Sequence, residues 1–295
     1  MVRTFISLLL LWSGCITSFS YADQVAGYQK DFVSSGLVTV RNDRGSVAVT
    51  GWDGSRISVK AESGAALDSF TFDVDASEAL IEVPVEKGKK LGQPTHLVIM
   101  IPYSSRLRVQ GVSSDINIAS IHGDVTVKTV SGDLSVSDLS SASLSIETVD
   151  ADTKLHQVQG DVSYESISGD LMGDISSQSI QLKTVSGNID LSFQEGGAAT
   201  ISSVSGDLSL TGEFVGYPDV SVKTVSGNIH LQLSGMVDTQ LKVSAITNTN
   251  VRVNLPQSGL TDLSLTAKQF SHNIGNGVGR ILLSTVQGDI SVNER

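Results

Sequence analysis

The sequence predicts an all-β protein, a β-solenoid (β-helix-like) of about ten coils with 18–21 residues per coil. Three observations carry this. First, a phrase recurs: Thr184-Val185-Ser186-Gly187-Asn188-Ile189 returns at Thr129–Leu134 and Thr224–Ile229. Looser copies are Ile167–Leu171, Val204–Leu208 and Val286–Ile290. Second, five apolar residues recur with gaps of two, three, four and two, as in Leu107, Val109, Val112, Ile116 and Ile118. The same gaps relate Val125 to Val136, Ile180 to Leu191, Val220 to Leu231 and Ile281 to Val292. Third, gaps of two do not fit the 3.6-residue period of a helix.

Composition agrees. The chain has 295 residues, long enough for a sizeable core. It carries 28 glycines against 5 prolines, with 5% aromatic residues. Many short strands with small side chains suit that mix better than a large aromatic core. Formal net charge is −11, and the longest basic stretch is Lys87-Gly88-Lys89-Lys90, so nucleic acid is not an expected partner.

In chain order, residues 1–22 read as a signal peptide. Arg3 supplies the positive end, and Phe5 to Trp12 is apolar but too short to span a bilayer. Ser20-Tyr21-Ala22 offers small residues for cleavage before Asp23. A rival reading takes Ser13-Gly14-Cys15 as a lipobox end, with a lipid anchor at Cys15. Cleavage after Ala22 removes Cys15, the only cysteine, so no disulfide staples the mature chain. No later apolar run is long enough for a transmembrane span.

Residues 23–35 read as a polar, loose lead-in. Residues 36–105 read as an N-terminal β-segment, forming the first coils or a cap. Asn42-Asp43-Arg44-Gly45 and Gly51-Trp52-Asp53-Gly54 are turn signals between alternating apolar runs. Trp52 is expected to cap the core. Residues 106–295 are the solenoid repeat region. Turn glycines Gly132, Gly169, Gly187, Gly206, Gly227 and Gly288 mark one edge, because Gly accepts positive φ at no steric cost. Gly123 and Gly160 mark the other, which later becomes irregular at Gln194–Gly197, Gly212–Asp219 and Ser234–Thr239. Phe270 to Gly279 reads as a longer loop.

The residue after each turn Gly aligns as Asp115, Asp133, Asp152, Asp170, Asn188, Asp207, Asn228, Asn250 and Asp289. Their side chains can accept backbone N–H bonds at the turn. A second reading has divalent cations bridging Asp115, Asp133, Asp152 and Asp170. The five histidines show no metal-ligand spacing. The turn serines are too many for one to be a singular nucleophile. Glu147, Asp150 and Asp152 form the densest carboxylate cluster, the place to look for a polysaccharide-active site. No cofactor is expected. The long loops Gly212–Asp219 and Ser234–Thr239 are the expected partner surface, since irregular loops on a rigid frame often carry binding.

Leu37 to Trp52, Ile99-Met100-Ile101-Pro102 with Leu107-Arg108-Val109, and the string of Ser-Gly-Asp turns resemble the bacterial putative adhesin domain family DUF4097. The resemblance covers about residues 35–295. It implies an exported, non-enzymatic β-solenoid of the cell envelope, in the periplasm or at the cell surface. Adhesin-like or scaffold roles follow, with an unknown envelope protein or glycan as partner, and some relatives are linked to envelope stress. The resemblance supplies no catalytic residues.

Overall fold

The computed structural model describes residues 24–63, 70–83, 94–235, 238–256 and 259–294. The signal segment with Cys15 and the Lys87–Lys90 stretch lie outside these residues. Among the described residues all regular elements longer than a turn are strands, β1 to β19. Among the described residues no helix is long and apolar enough to cross a membrane.

The repeats stack as parallel strands. Leu134 of β9 (Leu134–Glu147) pairs with Thr153 of β10 (Thr153–Ser166). Thr153 pairs with Leu171 of β11 (Leu171–Ser176), Leu171 with Ile189 of β13 (Ile189–Ser202), and Ile189 with Leu208 of β14 (Leu208–Ser226). The opposite face is built the same way. Val125 of β8 (Val125–Lys128) pairs with Leu144, Leu144 with Val162, and Val162 with Ile180 of β12 (Ser179–Thr184). Copies of one repeat position therefore sit ~4.8 Å apart along the stack.

The core lies between these two faces. Leu134, Leu171, Ile189 and Leu208 are buried from one side, and Val125, Leu144, Val162 and Ile180 from the other. Each such side chain contributes ~1.5–3 kcal/mol when fully buried. Tyr164 occupies the column of Ile146 and Leu182. Its ring is buried. Burial pushes its phenol pKa up, against the opposing pull of the Ser166 and Thr153 hydroxyls.

One part of the apolar pattern does not face the core. Val130, Val185 and Val225, the third point of three of the five copies, are 45–48% exposed. The preceding Thr129, Thr184 and Thr224 are buried instead. The corner begins at Thr, and Val stands on its outer rim.

Both ends depart from sequence order. At the N-terminal end β2 (Leu37–Trp52) pairs with β7 (Arg106–Ala119) on one side. On its other side it pairs with β5 (Glu78–Val83) and β6 (Thr95–Pro102). Residues 37–52 thus lie between two segments that follow them in the chain. At the C-terminal end β18 (Gly279–Gln287) and β19 (Ile290–Glu294) are inserted between β14 with β15 (Ile229–Ser234) and β16 (Thr239–Leu255).

Antiparallel strands finish each end. β3 (Arg56–Ser63) lies on β6, and β1 (Gln24–Asp31) lies on β3. β4 (Thr71–Val74) lies on β5, and β17 (Leu260–Ile274) lies on β16. These strands cover the edges that would otherwise template aggregation. Three expectations are corrected. Residues 24–31 are not a loose lead-in but a strand, with Tyr28 stacked on Phe70 at 5.2 Å. Residues 270–274 are not loop but the end of β17. Trp52 is half-buried over its own turn, not a lid on the core; its Nε1–H donates to the Arg56 carbonyl at 3.0 Å.

Candidate functional site

The two edges of the stack differ in what their polar groups do. On the first edge the Thr-Val-Ser-Gly-Asp phrase bonds one coil to the next. Each turn glycine has positive φ, from 100° at Gly169 to 155° at Gly227. Each also lies directly over the carbonyl of its counterpart: a Cβ at Gly206 would overlap the Gly187 oxygen, and one at Gly288 the Gly227 oxygen. Two separate constraints thus demand Gly there.

The Asp/Asn positions form a ladder. Asp115 accepts the Asp133 N–H at 3.1 Å, and Asp152 accepts the Asp170 N–H at 2.9 Å. Asp170 accepts from Asn188 at 2.7 Å, Asn188 from Asp207 at 3.0 Å, and Asp207 from Asn228 at 2.8 Å. Asn228 then accepts from Asp289, 61 residues on, at 2.9 Å, and the Asn250 amide donates to Asp289 at 3.0 Å. The alignment that placed Asn250 before Asp289 is corrected, because β18 and β19 insert between their neighbours. Oxygens of Asp115, Asp152 and Asp170 in the cation candidate thus already serve backbone donors. Among the described residues no group of three or more His, Cys, Asp or Glu could hold a metal ion.

The serines and threonines are similarly engaged. Ser131 and Ser168 hydroxyls donate to the Val112 and Val149 carbonyls at 3.1 Å each, while Thr184 donates to its own turn at Ser186 at 3.0 Å. The carboxylate cluster disperses into separate tasks. Glu147 pairs with Lys128 at 2.6 Å, Asp150 accepts the Ser168 hydroxyl at 3.0 Å, and Asp152 serves the ladder. A shallow groove of ≈ 440 Å³ beside the ridge of Val149, Ile167 and Val185 is lined by Lys128, Glu147, Glu165 and Lys183. Its charges cancel as pairs, Lys183 meeting Glu165 at 2.7 Å.

The second edge is built by irregularity. The β10 strand is bulged where Leu155 and Val158 pair with Gly173 and Ile175. Gln157 in that bulge has φ 51°, and Asp138, one coil away, has φ 50°. Non-Gly residues rarely hold this conformation. Asp174 braces the bulge: its carboxylate accepts the Gln157 N–H and meets the His156 ring nitrogen, both at 2.8 Å. Burial alone would raise the Asp174 carboxyl. The Gln157 N–H and His156 outweigh it and hold the pKa below the ordinary value. A cleft of ≈ 410 Å³ opens here, lined by Asp138, Gln157, Gln159, Asp174 and Gln194 over Val158. Of these residues, sequence reasoning named only Gln194, in the irregular stretch Gln194–Gly197; the glycine at Gly160 was the other available signal.

The loops expected to meet a partner are partly described. Gly212–Asp219 runs within β14, with Phe214 buried against Phe193 at 5.7 Å and Tyr217 72% exposed. Asp219 forms a forked pair with Arg280 of β18 at 2.8 and 3.0 Å. In Ser234–Thr239, Met236 and Val237 lie outside the described residues. Asp238 holds the distant turn between β17 and β18, and hydrogen bonds from the Asn276 amide and the Val278 N–H keep its carboxyl below the ordinary pKa.

Comparison with known proteins follows this geometry. A putative adhesin from Bacteroides fragilis aligns over 92% of this chain and 98% of its own, at 14% identity and a TM-score of 0.44. One from Parabacteroides distasonis aligns over 90% and 97%, at 11% identity and a TM-score of 0.42. One from Parabacteroides merdae aligns over 90% and 96%, at 9% and 0.41. No functionally curated protein matches the chain. The identification rests on the family model described as Toastrack DUF4097, which matches residues 71–293. The chain, with its stacked Ser-Gly-Asp corners, belongs to the DUF4097 family.

Proposed function

We propose that the protein is an exported, non-enzymatic component of the cell envelope, a rigid β-solenoid rod of about ten coils that acts as an adhesin-like binding scaffold. One observation carries this reading: the Asp and Ser side chains that recur at the first edge bond coil to coil, and Thr184 bonds its own turn, so they rigidify the rod and are not free for chemistry. The apolar segment before Asp23 supports export. Family membership supports an adhesin-like role, and the proposal includes a link to envelope stress, for which a rise in expression under envelope damage is the expected sign. A polysaccharide-active enzyme is disfavoured by the separate tasks of Glu147, Asp150 and Asp152.

Fractionation of the native host tests this directly, combined with cross-linking and pull-down from the envelope fraction. Recovery with the envelope, bound to a protein or glycan there, is the expected result. Recovery in the cytoplasm, or release of sugar fragments from envelope polysaccharide by the pure protein, would contradict it.

A further inference from the structure

We propose that the second edge, around Asp138, Gln157 and Gln194, is a binding cleft for a neutral, linear oligosaccharide. The inference deepens the binding role proposed above and rests on it. The two edges use their polar groups in opposite ways. At the first, hydroxyls and carboxylates are spent on the neighbouring coil. At the second, the side chains of Asp138, Gln157, Gln159 and Gln194 make no hydrogen bond among the described residues while lining a ≈ 410 Å³ cleft. That volume falls in the ~300–1,000 Å³ range of small-ligand pockets.

The lining chemistry suits sugar. Planar amides and carboxylates offer paired acceptors, and the amides paired donors, which match vicinal hydroxyls. Val158 and Ile175 lie buried beneath the cleft, so recognition rests on its polar rim. The bulge at Gln157, with the positive φ of Asp138 one coil away, re-aims the strand there, a device common beside binding sites. On the same edge Tyr103 stacks on exposed His122 at 5.0 Å and 14°. That platform joins the cleft through the Ser140 N–H, which donates to the Ile121 carbonyl at 3.0 Å. An aromatic face in line with unspent amides makes a track, and its straight rungs at ~4.8 Å favour an extended chain. Asp138, Asp174 and a net charge of −11 disfavour acidic sugars.

Calorimetric titration of the folded protein with cello-, xylo-, manno- and chito-oligosaccharides of defined length, alongside oligogalacturonates, tests the assignment. At least one neutral series should bind, with affinity rising with length and then levelling. Gln159→Ala combined with Gln194→Ala should weaken binding about ten-fold or more at an unchanged melting midpoint. Val185→Thr, on the opposite edge, should leave it unchanged. The inference is overturned if no neutral series binds, if the double variant binds like wild type, or if oligogalacturonates bind as well. Chromatography of the titrated sugars separates the two claims: cleavage products would sink the non-enzymatic reading yet leave the cleft standing.

Discussion

Val185 and Thr184 exchange the places that hydropathy assigns them. Thr184 is buried, with its hydroxyl returned to the Ser186 carbonyl, while Val185 is 48% exposed. The periodic pattern is legible because four of its five points face the core. The third is misleading because a β-branched residue suits an extended corner whether or not it is buried. Leu182→Ala should therefore cost about 2–5 kcal/mol, whereas Val185→Thr should stay within about 0.5 kcal/mol. Chemical denaturation of the two variants checks the contrast. Asp174 gives a pH prediction. Its folded pKa is depressed, so its contribution is present above the unfolded value of ~3.9 and is lost as pH falls through the folded value. The melting midpoint should drop over that acid range, and Asp174→Asn should flatten the drop. An unchanged slope would remove Asp174 from its bracing role.

Among the elements, the parallel repeats were readable and the ends were not. A repeat announces that units stack, but not which unit is whose neighbour. Nothing in Ile281–Val292 reveals that this copy sits against Ile229 instead of following Val251, a placement fixed by strand pairing alone. β1 and β17 escaped notice for a different reason. They cover edges with one face in solvent, so polar residues interrupt their alternation. The inserted C-terminal pair carries a test. Deleting residues 279–294 removes the partner of both β14 and β16, so the truncated chain should lose its cooperative unfolding transition in circular dichroism. Arg280→Ala, which removes only an exposed pair with Asp219, should cost about 1 kcal/mol or less. A truncated chain that still unfolds cooperatively would show that the insertion is dispensable.

Across the whole molecule, the long axis separates a stabilising edge from one with unspent polar groups. The first was legible as a repeated phrase, since one geometric demand recurs in every coil. The second was not, because its bulges break the period by which a repeat is recognised. The expected partner loops at Gly212–Asp219 and Ser234–Thr239 drew attention by length, whereas the cleft is formed by side chains from successive coils that are distant in sequence. The division between edges is best tested by the thermal unfolding midpoint of Gly206→Ala beside that of Gln159→Ala. Gly206 has φ 122° and no room for a methyl group over the Gly187 carbonyl, so alanine there should cost about 2–4 kcal/mol and lower the midpoint by several degrees. Gln159→Ala should melt with the wild type. Equal midpoints for Gly206→Ala and wild type, or a larger loss at Gln159, would contradict the account.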